Sequence, residues 1–316
     1  MNPHKPKGEI TPLVSHLVGN RVIDEYRTKR IVEAIAPYVS GIFVGGRTGE
    51  GKNLSPKNLF DLVRYTKNVN PTLPVAAGIW SDNHKDPLEC IDRAVLAGAD
   101  LLVLPPSTTS SDQNEICDFF LKMEEHCHSK KPMMLYVHPD DKSQPSFETI
   151  AKLAMQPGIV GIKYSHKSLY GLLRLLLIKQ NVEREGGVFQ VLAAEERLLA
   201  ANLLLGADGS VSSIGNTHPR LIKEVYDAFQ ALGKAEPQML QQVRTDLLYH
   251  LCYLGDLVTW SDVRKAGIVH GRQPRSKSLT TMLEAQQHLL KARLRVYCGD
   301  EPNLQHMKRY QEKELS

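Results

Sequence analysis

The sequence predicts an α/β fold, a (β/α)8 TIM barrel with a C-terminal helical extension. Three observations carry this. Eight short apolar runs recur along the first two-thirds of the chain. Each is followed by an amphipathic segment of helical length. No long interruption separates the units, so a closed ring of parallel strands fits better than a doubly wound open sheet, which is the structural alternative.

The apolar runs are EITPLV (9–14), GIFVGG (41–46), PVAAGI (74–79), ADLLVLPP (99–106), PMMLYV (132–137), GIVGIK (158–163), VFQVLAA (188–194) and ADGSVSS (207–213). They are rich in Val, Ile and Leu without polar alternation, as expected of parallel strands covered on both faces. Helices are predicted over 22–37, 56–68, 86–97, 113–128, 147–155, 168–181, 196–205 and 218–232. Ser55-Pro56 marks a helix start, an N-cap followed by proline at the first position. Gly98 and Gly206 stand just past helix ends, where a left-handed residue is wanted. The barrel is thus assigned to 8–234. Residues 235–298 read as further helices (about 235–254, 261–269 and 279–296) forming a layer packed on the barrel, with 299–316 as a tail.

Composition narrows the class. The chain has 316 residues, 42% hydrophobic and 23% charged, ordinary for a globular protein able to bury a sizeable core. The formal charge of +4 is mild, and Lys and Arg are spread along the chain, so nucleic acid is not an expected partner. A modest basic excess near the C-terminus (Lys291, Arg293, Arg295, Lys308, Arg309) reads as a solvated helix face. Five scattered cysteines (Cys90, Cys117, Cys127, Cys252, Cys298) suit reduced thiols in a cytoplasmic protein rather than a disulfide framework. No uncharged apolar run reaches the roughly 18 residues of a membrane span, and MNPHKPKGEI lacks the apolar run of a signal peptide.

The stretch FVGGRTGEGKNLSP contains G-x-x-x-x-G-K from Gly46 to Lys52. A phosphate-binding loop requires Ser or Thr after its Lys, and a helix starting there. Here Asn53 follows, and the helix signal falls later, at Ser55-Pro56. The better reading is a strand-to-helix loop at the barrel mouth, in which the amides of Arg47, Thr48 and Gly49 grip a small anion such as a substrate carboxylate. GIVGIK places Lys163 at a strand end; a desolvated amine there is free to attack a ketone and form an imine. A snorkelling, exposed lysine is the bland alternative. PMMLYV places Tyr136 similarly on the preceding strand, where a phenol can pass protons; a core tyrosine is its alternative. Glu125-His126-Cys127-His128 looks like metal chemistry, but adjacent helical residues point in different directions, so no metal is expected. Glu195 and Glu196 follow the seventh strand and can reach the mouth. Ser212 and Ser213 follow the eighth, and either bind an anion or close a turn.

The stretches GEITPLV, GGRTGEGKNLS, AGADLLVLPP, LYVHP, GIVGIKYS and LLLGADGSVSS resemble the dihydrodipicolinate synthase and N-acetylneuraminate lyase family of pyruvate-dependent class I aldolases, from about Gly8 to about Leu290. The resemblance implies a lyase or aldolase in which Lys163 forms a Schiff base with a 2-keto acid and Tyr136 shuttles protons. It implies that Thr48 and its glycine loop hold the keto-acid carboxylate, and that Ser165 and Ser213 line the substrate path. It implies no cofactor and a homo-oligomer, tetramer or dimer. The chain departs from the family at Arg47, where Ser or Thr is usual. It departs at Ser107 and Thr108, where an aromatic residue is missing, and at Asp141, where synthases carry Arg. It also departs at Ala194, Glu196 and Arg197 after the seventh strand. A dehydratase using the same imine, or a catalytically inactive barrel retained for ligand sensing, are the alternative readings.

Overall fold

A computed structural model describes residues 6–18, 22–80, 86–106, 110–127, 130–216 and 218–232. The predicted helical layer of 235–298, the tail, Ser107, Thr108, His128, Cys252 and Cys298 lie outside the described residues.

Eight parallel strands close into a barrel: β1 (Gly8–Pro12), β2 (Gly41–Val44), β3 (Val75–Gly78), β4 (Leu101–Leu104), β5 (Met133–Val137), β6 (Ile159–Tyr164), β7 (Gln190–Ala193) and β8 (Gly209–Ser210). Each pairs with its sequence neighbours, and β8 returns to β1 through Gly8↔Gly209 and Glu9↔Ser210. The helices between them are α1 (Glu25–Ile35), α2 (Pro56–Val69), α3 (Pro87–Leu96), α4 (Gln113–Cys127), α5 (Phe147–Ala154), α6 (Leu169–Arg184), α7 (Leu199–Leu205) and α8 (Pro219–Leu232). All eight predicted strands and all eight predicted helices are present, with ends shifted by a few residues.

The caps explain where helices start and stop. Ser55 accepts from the Asn58 amide at 3.1 Å with Pro56 in the first helical position, and Ser146 and Ser168 cap α5 and α6 in the same way. Gly98 and Gly206 adopt φ of +95° and +109°, the left-handed conformation that ends a helix without a Cβ penalty. One boundary differs from expectation. Val22 and Ile23 pair antiparallel with Val18 and Leu17, and α1 begins only at Glu25, because Asp24 caps the amide of Arg27 at 3.0 Å. β-branched residues favour the strand, and the acid marks the turn into helix.

Two apolar layers result. Ile42, Val75, Leu102, Leu135, Ile162 and Val191 point outward beneath the helices. Ile10, Phe43, Leu101, Met134, Tyr136, Val160 and Leu192 fill the barrel. On β6 the alternation is broken. Ile159 and Ile162 both face the helix layer while Val160 faces inward, and Met133 and Met134 of β5 pair with Ile159 and Gly161, skipping Val160. This is a bulge, rare between parallel strands, and it places one extra residue on β6. Strict alternation from Ile159 would send Lys163 outward; the extra residue brings it to the inner face, where its register partner is Tyr136.

Candidate active site

The loop after β2 is built from close backbone approaches. A Cβ on Gly51 would lie 1.8 Å from the carbonyl oxygen of Gly45, and one on Gly78 would lie 2.3 Å from the same atom. Trp80, just past β3, donates its indole N–H to the Gly45 carbonyl at 2.6 Å. The glycines therefore serve packing of loop against strand. The amides of Glu50 and Gly51 turn back to the carbonyls of Arg47 and Gly46 at 3.0 and 2.9 Å. Closing that turn requires φ of +54° at Glu50, a left-handed conformation that costs roughly 1–2 kcal/mol in a residue with a Cβ. The amides of Arg47, Thr48 and Gly49 have no backbone acceptor among the described residues, and α2 starts at Pro56 rather than at Lys52. Three successive amides thus lack a backbone acceptor among the described residues, and the helix dipole of a nucleotide cradle is missing from the loop.

Lys163 is buried, only 6% exposed. Its Nζ lies 3.5 Å from the centre of the Tyr136 ring and 5.7 Å from that of Phe43, and it donates to the Ser165 Oγ at 3.3 Å. Burial holds the amine well below the ordinary lysine range, and the nearby Arg47 charge lowers it further, while Glu196 and Asp141 oppose this. The Tyr136 hydroxyl hydrogen bonds to Ser165 and to Arg47. Burial pushes this phenol up to about 12, so it keeps its proton at neutral pH. Ser165 thereby joins the amine to the phenol through one hydroxyl.

Arg47 forms an ion pair with Asp141, which follows β5. Its guanidinium lies 5.6 Å from the centre of the Trp80 ring, and Lys52 approaches that ring at 5.3 Å. Trp80 and His138 flank Tyr136 edge-on, each at 6.2 Å between ring centres. Burial keeps His138 below the usual imidazole range, with the Arg47 charge acting in the same direction. Ser213 is engaged by Glu196, whose Oε1 accepts from the Ser213 amide at 2.8 Å and hydroxyl at 2.7 Å, and from Ser212 Oγ at 3.4 Å.

The structure thus gathers Arg47, Tyr136, Lys163 and Ser165, with Glu196 and Asp141 close enough to influence the amine. Thr48 and Gly49 continue the same turn, and Ser213 meets the group through Glu196. Trp80 and Glu9 are two further residues that no motif marks in the sequence. Trp80 stands immediately after a strand-like run, and an aromatic residue there was the available signal. Glu9 is buried on the outer face of β1, accepting from Thr11 Oγ1 at 3.2 Å, from Ser212 N at 3.2 Å and from Ser210 Oγ. Burial pushes this carboxyl up to about 8. Nothing in the sequence separates it from a surface glutamate. Glu125, His126 and Cys127 do not converge: His126 instead bonds Asp92 at 2.9 Å, and no metal-holding cluster occurs among the described residues.

Comparison with known proteins adds the lineage. The family model described as "Dihydrodipicolinate synthetase family" matches residues 5–294. A 4-hydroxy-tetrahydrodipicolinate synthase of Methanothrix thermoacetophila is 28% identical over 226 residues, covering 71% of this chain and 74% of the relative. A putative mitochondrial 4-hydroxy-2-oxoglutarate aldolase of Coccidioides immitis is 26% identical over 230 residues, covering 70% of each. Among solved structures, a prophage protein of E. coli K12 belonging to the dihydrodipicolinic acid synthase family, in complex with pyruvate, superposes with a TM-score of 0.73 at 21% identity, over 89% of this chain and 98% of that one.

Proposed function

Because this chain belongs to the dihydrodipicolinate synthetase family, we propose that it is a Schiff-base-forming lyase or aldolase acting on a 2-keto acid, releasing pyruvate or condensing it. The observation that carries this reading is the buried Lys163 amine, whose proton affinity is lowered by its surroundings and which is linked through Ser165 to the Tyr136 phenol.

The chemistry follows from the geometry. The Lys163 lone pair adds to the ketone carbon, and the alkoxide that forms takes a proton from the phenol-serine chain. Water then leaves the carbinolamine and an imine remains. In the cleavage direction, the hydroxyl two carbons away gives up its proton toward Tyr136, the carbon–carbon bond breaks, and its electrons flow into the imine to give an enamine and an aldehyde. Protonation of the enamine and hydrolysis release pyruvate and regenerate the amine. The amides of Arg47, Thr48 and Gly49 hold the keto-acid carboxylate, which fixes the ketone near Lys163. No metal or organic cofactor takes part in this scheme.

Incubation with pyruvate and sodium borohydride tests it. The reduced adduct should appear on the peptide carrying Lys163 and be absent from Lys163→Met. An unmodified peptide would refute the reading, and would be the expected result for a barrel kept only for ligand sensing.

We further propose a homo-oligomer, dimer or tetramer, located in the cytoplasm. Tyr170, Leu173 and Leu177 stand exposed along α6, which suits assembly. The buried thiols of Cys90, Cys117 and Cys127 suit a reducing compartment. Sedimentation and cell fractionation test these two statements.

A further inference from the structure

Forming the imine changes the charge on one buried atom, an inference that rests on the lyase reading above. The Lys163 amine bonds to the ketone carbon, the carbon–oxygen bond breaks, one water leaves and one proton is taken up. A neutral nitrogen thereby becomes a cation, in a side chain only 6% exposed. A buried cation is costly unless something meets it. Two carboxylates are near enough to influence this nitrogen, and both are engaged elsewhere. Asp141 is paired with Arg47, and Glu196 accepts from the Ser212 hydroxyl and from the Ser213 amide and hydroxyl.

The groups that face the nitrogen at close range include two aromatic rings. Nζ lies 3.5 Å from the centre of the Tyr136 ring and 5.7 Å from that of Phe43. Both distances fall within the roughly 6 Å over which the negative face of a ring attracts a cation. Phe43 is 1% exposed and belongs to the layer that fills the barrel. Its carbonyl accepts from the Leu13 amide at 2.9 Å, which fixes the backbone. The glycine loop leaves room for its ring: a Cβ on Gly46 would lie 2.6 Å from Phe43 Cε1 and 3.1 Å from Cδ1 and Cζ. The Tyr136 ring is set by Trp80 and His138, whose planes stand at 80° and 85° to it. Ile10 and Leu101 show that aliphatic side chains can fill this layer, but only a ring supplies a negative face.

We propose that Phe43 and the ring of Tyr136 form an aromatic floor that stabilises the cationic imine on Lys163. Tyr136 then has two separable parts: its hydroxyl moves a proton, and its ring meets the charge. Phe43 has the second part alone.

The test removes the negative face of each ring while keeping its shape. The full chain is prepared as wild type, Phe43→4-fluorophenylalanine and Phe43→3,4,5-trifluorophenylalanine, and as Tyr136→Phe and Tyr136→3,4,5-trifluorophenylalanine, the last pair both lacking the hydroxyl. Each is equilibrated with pyruvate, pulsed with borohydride at its pH of maximal trapping, and the adduct fraction is read by mass spectrometry against pyruvate concentration. Half-saturating pyruvate should rise about fivefold from Tyr136→Phe to its fluorinated counterpart, and about twofold from wild type to Phe43→3,4,5-trifluorophenylalanine, whose ring is farther from the nitrogen. The monofluorinated Phe43 chain should fall between. Thermal midpoints should match those of the unfluorinated parents, a result that a purely packing role would share without the shift in pyruvate. Half-saturation unchanged by fluorination at either position, or a monofluorinated chain outside the graded order, overturns the proposal. Trapping that is indifferent to fluorination removes only this inference; no trapping in wild type removes the lyase reading and this one together.

Discussion

Replacing Tyr136 by Phe isolates one hydroxyl. The ring, 1% exposed and set 3.5 Å below the Lys163 amine, is retained, as are its edge contacts with Trp80 and His138. The substitution removes the hydrogen bonds to Ser165 and Arg47. Arg47 keeps Asp141 as partner, so the loss in stability should be about 1 kcal/mol. The chemical step loses its positioned proton donor, which is worth roughly 10²–10⁴ in rate, or about 3–5 kcal/mol in barrier height. Ser165 remains beside the amine, so slow imine formation should persist. The assay pairs steady-state pyruvate turnover with the rate of borohydride trapping and a urea midpoint. A variant that unfolds at nearly the wild-type midpoint while turnover drops a hundredfold or more fits the argument. Turnover within fivefold of wild type would show that the phenol moves no proton in the slow step.

Lys163→Met should abolish trapping yet raise the thermal midpoint, since it relieves an enclosed amine; a gain on the order of 1–2 kcal/mol is expected. A folded pKa below the unfolded one means that wild type loses stability as pH falls from the ordinary lysine range, so the gap between Met variant and wild type should be wider at pH 7 than at pH 10. A gap that narrows toward pH 7 would contradict the burial argument. Glu9 has the opposite sign: its carboxyl is raised from 4.5 to about 8, so its contribution is complete below pH 4.5 and is lost as pH rises to about 8. Glu9→Gln should therefore match wild type in urea unfolding at pH 5 and exceed it by a few kcal/mol at pH 8.5, and equal stabilities at the higher pH would refute the assignment. Two glycines should behave differently on mutation to Ala. Gly51→Ala meets backbone at 1.8 Å and should cost more than about 3 kcal/mol, whereas Gly206→Ala has open space and should cost about 1 kcal/mol for its φ of +109°. Thermal midpoints rank the pair, and a Gly51 variant as stable as the Gly206 variant would disprove the packing account.

The barrel was legible because parallel strands covered on both faces leave uninterrupted apolar runs, and because serine caps and terminal glycines punctuate the helices at Ser55, Gly98 and Gly206. Lys163 and Tyr136 were legible as polar residues closing such runs. What stayed hidden depends on contacts between residues far apart in sequence. Arg47 and Asp141 are separated by 94 positions, and their pairing is invisible until β2 and β5 are brought around the same mouth. Glu9 reads as an ordinary acid until Ser210 and Ser212, about two hundred positions along the chain, are brought beside it by closure of the barrel. Val22 and Ile23 fall inside the helix expected over 22–37 because an isolated pair of β-branched residues carries too little pattern to reveal a two-residue strand.

The skipped residue at Val160 carries a consequence for reading related sequences. The G-I-K signature is neutral about direction: the same three letters could deliver the amine to the cavity or strand it among the helices. The phase is set upstream, by how many residues separate the start of β6 from its lysine. Two chains with identical signatures but differing by one residue in that interval would hold their nucleophiles on opposite walls, so motif scanning that ignores spacing would count an inert barrel as a working one.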